Sequence, residues 1–203
     1  MSESYIDRTA AVEAIGEFGA GLLGDEDIAR LADASRIQRM SKGERVISAG
    51  EVPSSVCFLL SGVARGYYID ASGKELTDCI AWRRGEVLAP SAGLQTPSPV
   101  YIEAVNAIEI LQIDMECVID LLETSLGLNR LYNRLLLFSW DYHWAVKRMV
   151  SQYKAKDRYL WFLKEFPGIV DVVPGRHIAT FLGMTPVTLS RLRSALRDEG
   201  EIE

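Results

Sequence analysis

The chain has 203 residues, of which 48% are hydrophobic and 25% are charged, as in an ordinary folded protein of one or two domains and unlike a disordered or fibrous chain. No apolar run reaches the about 20 residues that a membrane helix needs, and the first residues lack a secretory pattern, so we expect a cytoplasmic protein with no membrane partner. The net charge of −6 is unevenly distributed: residues 143–203 carry ten Lys and Arg against seven Asp and Glu, which favours an acidic partner at that end.

The first segment, residues 8–34, is predicted to be helical. Its apolar residues Leu22, Ile28 and Leu31 recur at a spacing close to that of a helix turn, and Asp25 is the expected N-cap within it. After residue 36 this spacing ends, so we expect a different kind of structure to begin there.

From residue 36 to residue 113, short β-branched and aromatic runs such as VCFLLSG and VARGYYID alternate with turns that contain glycine. Strands of this length at such intervals are typical of an all-β sandwich or roll, and the turn at residues 70–73 predicts a hairpin. The same region contains no histidine, so it lacks the metal ligands of a β-roll enzyme such as a cupin. Neither a phosphate-binding loop nor a catalytic triad pattern is present, and we expect no catalytic residue and no metal.

Residues 115–152 are predicted to form a long helix that is broken at Gly127. Apolar side chains recur along it every three or four residues in two sets. The first set is Leu131, Leu135, Phe138, Tyr142, Ala145 and Met149, and the second is Leu136, Leu137, Trp140 and Trp144. Because two apolar faces need two partners, we interpret this segment as a dimer helix that packs on its twin and on its own β-roll. A simple core helix is the alternative.

The last segment predicts two short helices joined by a tight turn. Residues 177–182 form the first helix, and Gly183 stands where the turn needs a left-handed residue. Thr185 is the expected N-cap of the second helix, and Pro186 suits its first position, where the missing N–H is not needed. This arrangement is typical of a helix-turn-helix, and the alternative is a three-helix bundle with ordinary surface arginines.

The outward face of the second helix carries groups that suit DNA. An arginine near the N-terminus of a helix in the major groove can donate to O6 and N7 of guanine, so Arg191 is the expected base-reading residue. Hydroxyl groups, the helix N-terminus and a nearby arginine are expected to hold phosphates. The predicted DNA-binding residues are Arg176, Thr185, Val187, Thr188, Ser190, Arg191 and Arg193.

Several motifs follow one another in a fixed order: K-G-E, A-G, L-x-x-G and D-x-x-G-K-E between residues 42 and 75, then the long helix, then the helix-turn-helix. Together they resemble the Crp/Fnr superfamily of transcription regulators. The resemblance implies an α+β chain with three parts: a double-stranded β-helix (jelly-roll) effector domain of the cyclic-nucleotide-binding type over residues 1–114, a dimerisation helix over 115–152, and a winged-helix-like helix-turn-helix domain over 153–203. It also implies a homodimer on palindromic double-stranded DNA, with RNA polymerase as a further partner.

Two places depart from the pattern of that family. Val187 stands where the family's DNA-reading helices often carry a glutamate, so the operator is expected to differ from the usual half-sites. In the effector domain, Ala89 and Pro90 stand where Gly and Glu would bind a cyclic nucleotide, and Ser98 and Pro99 stand where Arg and Ser would bind it. The positive charge of that arginine and one backbone N–H donor, which proline lacks, are therefore absent. For this reason we do not expect cAMP to bind.

The effector is therefore expected to be an unknown small molecule, or absent. Two arginines that precede a turn in this domain are able to hold a different anion. The predicted effector-binding residues are Arg83, Arg84, Gly85, Glu86 and Ser98. A cyclic-nucleotide-binding regulatory module that acts on a protein partner is the alternative function.

The three cysteines are widely spaced and form no C-x-x-C pair. An iron–sulfur cluster needs four such ligands. Haem is an alternative for which only His143 and His177 are available, on the long helix and in the helix-turn-helix, so no cofactor is expected. We interpret Cys57, Cys79 and Cys117 as small buried apolar residues, with a redox-sensing thiol as the alternative.

Overall fold

The computed structural model describes residues 3–89 and 93–202, which contain seven strands, seven α-helices and one short 3-10 turn. In chain order these are α1 (Glu3–Gly19), α2 (Asp25–Asp33), β1 (Ser35–Met40), β2 (Arg45–Ile47), β3 (Ser55–Ser61), β4 (Ala64–Ile69), β5 (Glu75–Ala81), β6 (Tyr101–Ala104), β7 (Ile108–Asp114), α3 (Met115–Thr124), α4 (Leu126–Gln152), α5 (Ala155–Glu165), the 3-10 turn (Ile169–Asp171), α6 (Gly175–Phe181) and α7 (Pro186–Asp198). The predicted α+β class is confirmed: the strands form one block, and the described elements that follow it are helical.

Two sheets form the β region. The three-stranded sheet has the order β1-β7-β3 and the four-stranded sheet the order β2-β6-β4-β5. Leu59 and Ile110 of the first sheet belong to the same buried cluster as Ala64 and Ile102 of the second. Because alternate residues of a strand point to opposite faces, each sheet contributes one apolar face to this cluster, as the predicted β-roll requires.

A second core lies against the other face of the three-stranded sheet. Leu111 of β7 contributes to it, although its neighbour Ile110 belongs to the first core. Ile15 of α1, Leu31 of α2 and Leu131 of α4 are buried with it. The helices before and after the strands therefore cover the roll together.

The hairpin predicted at residues 70–73 is confirmed between β4 and β5. The Gly73 N–H donates to the Asp70 carbonyl oxygen at 2.9 Å, and Gly73 has a φ of +81°. The Asp70 carboxylate accepts from the backbone N–H groups of Ser72 at 2.8 Å and Lys74 at 3.0 Å. The Ser72 hydroxyl also donates to this carboxylate, and that bond is the largest cause that lowers the pKa of Asp70. The two backbone bonds lower the pKa further. An aspartate that bonds its own turn in this way fixes the hairpin locally.

The helical segment before the strands consists of two helices, separated by a turn at residues 20–24. The prediction that Asp25 caps the second helix is wrong, because α2 begins at Asp25 and its N-cap is Gly24. Gly24 has no side chain to make the cap bond. The acidic first turn of α2 instead complements the positive end of the helix dipole.

The break in the predicted long helix lies at Ser125, two residues before the expected position at Gly127. The Ser125 hydroxyl accepts from the Leu128 N–H at 3.0 Å and donates to the Asp27 carboxylate at 2.5 Å. The break thus depends on a residue 98 positions away in the chain. Gly127 is required for a different reason, since a Cβ there would collide with the carbonyl oxygen of Leu22.

Helix α4 has a buried apolar residue near each end, and the residues between them are exposed or half-buried. Of the first predicted apolar set, Leu131 is 6% exposed and Met149 only 1%, whereas Phe138 is 60% exposed. The large apolar side chains exposed between them are Leu137, Phe138, Trp140 and Trp144. In the described residues no helix, α4 included, is long and apolar enough to cross a membrane.

Residue contacts divide the chain into two compact units. The first comprises Ile80–Ser139 with the residues up to Gly66, and the second comprises Tyr67–Cys79 with the residues from Trp140 onward. The second unit thus joins the tip of the β4–β5 hairpin to the end of α4 and to α5–α7. The three-part division at residues 114 and 152 stays a prediction.

Candidate nucleic-acid interface

Helix α6, a short turn and α7 form the helix pair that the sequence predicts. The chain turns at Gly183, whose φ of +63° lies in the left-handed region that favours glycine. The Gly183 N–H donates to the Thr180 carbonyl oxygen at 3.1 Å, and the Met184 N–H donates to that of Ala179 at 2.9 Å. These bonds satisfy the last carbonyl groups of α6 and fix the direction in which the chain leaves it.

A side-chain cap begins α7, as predicted. Thr185 Oγ1 accepts from the Thr188 N–H at 3.1 Å, and the two hydroxyl groups lie 2.8 Å apart. Pro186 occupies the first turn of the helix, where an N–H would have no partner inside it. The start of α7 is therefore set by three residues within four positions.

Most of the predicted DNA-binding side chains lie on the solvent-exposed side of the pair. Val187 is 60% exposed, and Thr188, Ser190 and Arg191 are exposed on α7 with it. Arg176 is exposed in the first turn of α6. Within the part of the chain that the structure describes, neither Arg176 nor Arg191 makes an ion pair or hydrogen bond, so both guanidinium groups are open to a ligand.

Arg193 differs from the other predicted residues. It is half-buried, and its Nε atom is shielded from solvent without a hydrogen-bond partner among the described residues. Burial raises the pKa of Tyr159 on α5, and the positive charges of Arg193 and Arg197 act against that rise. Arg193 therefore lies near α5 and is less open to solvent than Arg191.

An aromatic cluster supports the two helices from behind. The rings of Phe162 and Phe166 stack with their centroids 4.8 Å apart, and the Phe181 ring lies 5.5 Å from that of Phe166. Leu189 and Leu196 of α7 are 2% and 1% exposed. Burial of this apolar surface stabilises α5, α6 and α7 as one bundle. The polar face of α7 is therefore not needed to hold the bundle together.

A polar contact that the sequence did not predict joins α6 to the β4–β5 hairpin. The backbone N–H of Thr77 donates to Thr180 Oγ1 at 3.2 Å, and the Thr180 hydroxyl lies 3.0 Å from Thr77 Oγ1. Beside it in the chain, the Asp78 carboxylate lies 4.0 Å from His143 of α4. Burial raises the pKa of Asp78, and His143 opposes the rise. No local signal marks this contact, because 103 residues separate the two threonines.

Two of the predicted effector-binding residues form a closed turn after β5. The Glu86 carboxylate accepts from the backbone N–H groups of Trp82 at 2.6 Å and Arg83 at 2.9 Å. The Arg83 guanidinium lies 3.5 Å from the same carboxylate and 4.6 Å from the centroid of the Trp82 ring. The charges of Arg83 and Glu86 thus balance each other inside the turn.

The next two predicted effector residues face α1. Arg84 Nε lies 3.0 Å from the Glu17 carboxylate, and its Nη1 donates to the Leu60 carbonyl oxygen at 3.3 Å. Gly85 has a φ of +86°, and a Cβ there would lie 2.8 Å from the Phe18 ring. Glycine is therefore needed at this position for α1 to approach the turn.

Ser98, the remaining effector residue, is buried in the loop before β6. Its hydroxyl donates to the Val100 carbonyl oxygen at 2.5 Å. Its backbone N–H and carbonyl groups bond residues 50–51, each at 2.8 Å. Among the described residues no hydrogen bond or ion pair joins Ser98 to residues 83–86.

The other positions that argue against a cyclic nucleotide are described only in part. Ala89 and Pro99 are exposed. Pro90 lies outside the described residues, so its effect on nucleotide binding stays a prediction.

A buried ion pair inside the roll was not singled out from the sequence. The Arg65 side chain is only 2% exposed, and its Nε donates to Glu103 Oε1 at 2.7 Å. Arg65 lies on β4 and Glu103 on β6, which are neighbours in the four-stranded sheet. A buried guanidinium needs such a partner, so this pair has a structural role.

Among the described residues none of the three cysteines forms a disulfide. Cys57 is buried, and Cys79 and Cys117 are half-buried. Burial raises the pKa of Cys57 and of Cys117, which lowers the thiolate fraction on which redox reactivity depends. The described residues hold no cluster of three or more His, Cys, Asp or Glu side chains that could bind a metal ion.

Comparison with known families and solved structures identifies the fold. The cyclic nucleotide-binding domain family matches residues 37–125. FixK2 from Bradyrhizobium japonicum superposes with a TM-score of 0.74 at 17% identity, over 82% of this chain and 86% of that one. A putative transcriptional regulator of the Crp/Fnr family from Eubacterium rectale gives 0.72 at 18% identity, over 89% and 87%. The chain has the Crp/Fnr fold.

A third similar structure is matched over almost the whole of its own chain. The c-di-GMP-responsive global regulator CLP from Xanthomonas campestris superposes with a TM-score of 0.70 at 15% identity, over 87% of this chain and 93% of that one. No curated protein matches by sequence. The family match ends at residue 125, so the helix-turn-helix part of the Crp/Fnr fold rests on the structural likeness and on the geometry of α6 and α7.

Proposed function

We propose that the protein is a sequence-specific, DNA-binding transcription regulator that acts as a homodimer. The observation that carries the proposal is the exposed face of α7, a capped helix that presents Thr188, Ser190 and Arg191 to solvent. A helix of this kind fits the major groove, where hydroxyl and guanidinium groups reach base edges and phosphates. The excess of ten basic over seven acidic residues in 143–203 supports an acidic partner. A DNA target also implies a cytoplasmic location.

Each predicted contact residue has a role in this proposal. Arg191 reads guanine through O6 and N7, and Val187 contacts a thymine methyl group, because valine cannot accept a hydrogen bond from cytosine. Arg176 and the N-terminus of α7 at Thr185 hold phosphates. Arg193, being half-buried, contributes less than Arg191.

The exposed apolar part of α4 supports the homodimer. Leu137, Phe138 and Trp140 are each at least 60% exposed, and Trp144 lies with its ring centroid 6.2 Å from that of Trp140. An exposed apolar patch on a helix is typical of a protein–protein interface. In the proposed dimer, a two-fold axis along α4 should set the two α7 helices about 34 Å apart, one turn of DNA, and we therefore expect a palindromic operator.

The contacts of the predicted effector residues support an effector other than cAMP, or none. Arg83 and Arg84 have carboxylate partners in Glu86 and Glu17, with which a phosphate would have to compete. The Ser98 hydroxyl already donates within its loop. RNA polymerase is a further proposed partner.

The test is selection from a library of random DNA duplexes by the full-length protein at fixed, near-physiological salt, with and without cAMP. We expect enrichment of a palindrome whose half-sites lie about one helical turn apart, in both conditions. Arg191→Ala should lose the base preference, whereas Arg197→Ala, which removes an exposed arginine from the last turn of α7, should keep it.

Each of the other outcomes contradicts a stated part of the proposal. No enrichment in either condition would contradict DNA binding and favour a regulatory module that acts on a protein. A rise of about tenfold in operator affinity with cAMP would contradict the effector argument.

Sedimentation tests the dimer separately. Trp140→Glu puts a charge into the apolar patch and should shift the protein from dimer to monomer. Val172→Glu, at an exposed apolar residue outside α4, should leave the dimer intact. An unchanged dimer with Trp140→Glu would place the interface elsewhere.

A further inference from the structure

One arginine of α5 donates three hydrogen bonds to backbone carbonyl groups. The acceptors lie just after α4 and just after α6, all in the second unit. Arg158 Nη1 donates to the carbonyl oxygens of Leu182 at 2.7 Å and Gly183 at 3.1 Å, both in the turn between α6 and α7. Its Nε donates to the carbonyl oxygen of Tyr153, just after the end of α4, at 3.1 Å. A single guanidinium thus connects the end of α4 to the turn that precedes α7.

The turn has no spare room on this side. A Cβ at Gly183 would lie 3.1 Å from Arg158 Nη1 and 3.1 Å from a methyl carbon of Val150 on α4. Contacts this short are rarely tolerated in packed proteins. The turn is therefore held against α4 by packing as well as by hydrogen bonds.

The chemistry of these bonds favours arginine over other residues. Carbonyl groups at the C-terminal end of a helix have no partner within the helix and carry partial negative charge, and a cation stabilises them. Arginine presents several N–H donors in a rigid planar fork, so it can bond groups from two helices at once. Lysine has a single ammonium group on a flexible stem and cannot span both with the same precision.

We propose that Arg158 is a positioning residue that sets the direction of α7 relative to the end of α4. This inference rests on the proposed function, in which α4 forms the dimer and α7 enters the major groove. Since α4 would carry the two-fold axis, the angle between its end and α7 determines the distance between the two α7 helices of the dimer. Arg158 thus determines which spacing between half-sites the dimer accepts, and it touches no DNA itself.

The position of Arg158 separates this role from simple stabilisation of the bundle. Arg158 is only half-buried, at the edge of the α5–α7 bundle. The buried side chains of Tyr159, Phe162, Ile178 and Leu182 hold the interior of that bundle. Replacement of Arg158 by methionine keeps an unbranched stem of similar length and should leave the bundle folded.

The experiment uses the full-length protein and DNA duplexes in which two selected half-sites are separated by a varied number of base pairs. The wild-type protein should prefer one spacing. With Arg158→Met, the preference for that spacing over its neighbours should fall by about tenfold, the scale of losing charge-assisted hydrogen bonds. The preferred bases within each half-site should not change, because Arg191 remains in place. Arg158→Lys should restore part of the preference.

The matched control is Lys164→Ala, which removes a positive charge from an exposed position on the same helix. It should weaken binding slightly at every spacing and leave the preference unchanged. Equal loss of affinity at all spacings with Arg158→Met would overturn the proposal, because a purely structural role or a phosphate contact would act in this way.

Amide hydrogen exchange in the absence of DNA separates failure of this inference from failure of the proposed function. Exchange at Gly183 and Met184 should become about tenfold faster with Arg158→Met and stay unchanged with Lys164→Ala. If the wild-type protein selects no DNA but exchange still depends on Arg158, the proposed function fails and the role of Arg158 in holding the turn stands. If neither exchange nor spacing responds to Arg158→Met, the positioning role is refuted.

Discussion

The arginines on two surfaces of the molecule differ in whether they have a carboxylate partner. In the turn after β5, Arg83 and Arg84 each lie within 3.5 Å of a carboxylate of their own unit. On the helix-turn-helix, Arg176 and Arg191 have no such partner among the described residues. An arginine that already has a counter-ion gains less from a second anion than one that faces only water. The arginines of the turn after β5 are therefore balanced within the fold, and those of α6 and α7 remain open to an external anion, which we propose to be DNA.

The largest effect that this comparison predicts is that of Arg191→Ala. Loss of a bidentate contact to guanine should weaken binding to the selected operator by about 10- to 100-fold. Binding to a scrambled duplex should stay nearly unchanged, because the phosphate contacts remain. Fluorescence anisotropy titrations with the two duplexes measure both affinities. An equal loss on both would show that Arg191 contacts phosphate, and the register proposed for α7 would then be wrong.

The next largest effect is expected from loss of the N-cap of α7. Thr185→Ala removes the hydroxyl that accepts from the Thr188 N–H, and loss of such a cap costs about 1 kcal/mol of unfolding free energy. Urea denaturation followed by circular dichroism measures the change. Thr185→Ser keeps an acceptor and should retain most of the stability. If serine and alanine destabilise the protein equally, the cap does not determine where α7 begins.

Local signals account for what the sequence predicted well. The Asp70 hairpin and the Thr185 cap are each complete within five residues, so the residue types alone define them. The same holds for Gly183, whose positive φ is a requirement of the turn itself. These features predicted the hairpin of the roll, the turn at Gly183 and the start of α7 correctly, and the DNA contacts of α7 stay a prediction.

The features that the sequence did not predict depend on distant partners. The helix break lies at Ser125 because its hydroxyl meets Asp27, which is 98 residues away. Arg158 looks like any exposed arginine of a helix until Leu182, 24 residues later, is placed beside it. Arg84 looked available to an anion because its partner Glu17 lies 67 residues earlier. Charge compensation is a tertiary property, so spacing along the chain does not reveal it.

A smaller effect is expected from Arg176→Ala. Arg176 is exposed at the start of α6 and is proposed to contact phosphate, so its loss should weaken binding to all duplexes alike. The slope of log affinity against log salt should decrease by about 1. Titrations at four or more salt concentrations measure the slope. A loss confined to the selected operator would instead make Arg176 a base-reading residue.

The smallest effect is expected from Arg84→Ala, and it tests the other side of the comparison. Arg84 and Glu17 are about half exposed, with 46% and 57% of their side chains accessible, so solvent screens the pair and its loss should cost less than about 1 kcal/mol of unfolding free energy. Affinity for the operator and its salt dependence should stay at the wild-type values, because the charge of Arg84 is already balanced. Thermal unfolding and the same salt titrations measure both. If Arg84→Ala lowered the salt slope as Arg176→Ala is expected to do, Arg84 would lie on the DNA-binding surface, and the distinction between balanced and available arginines would fail.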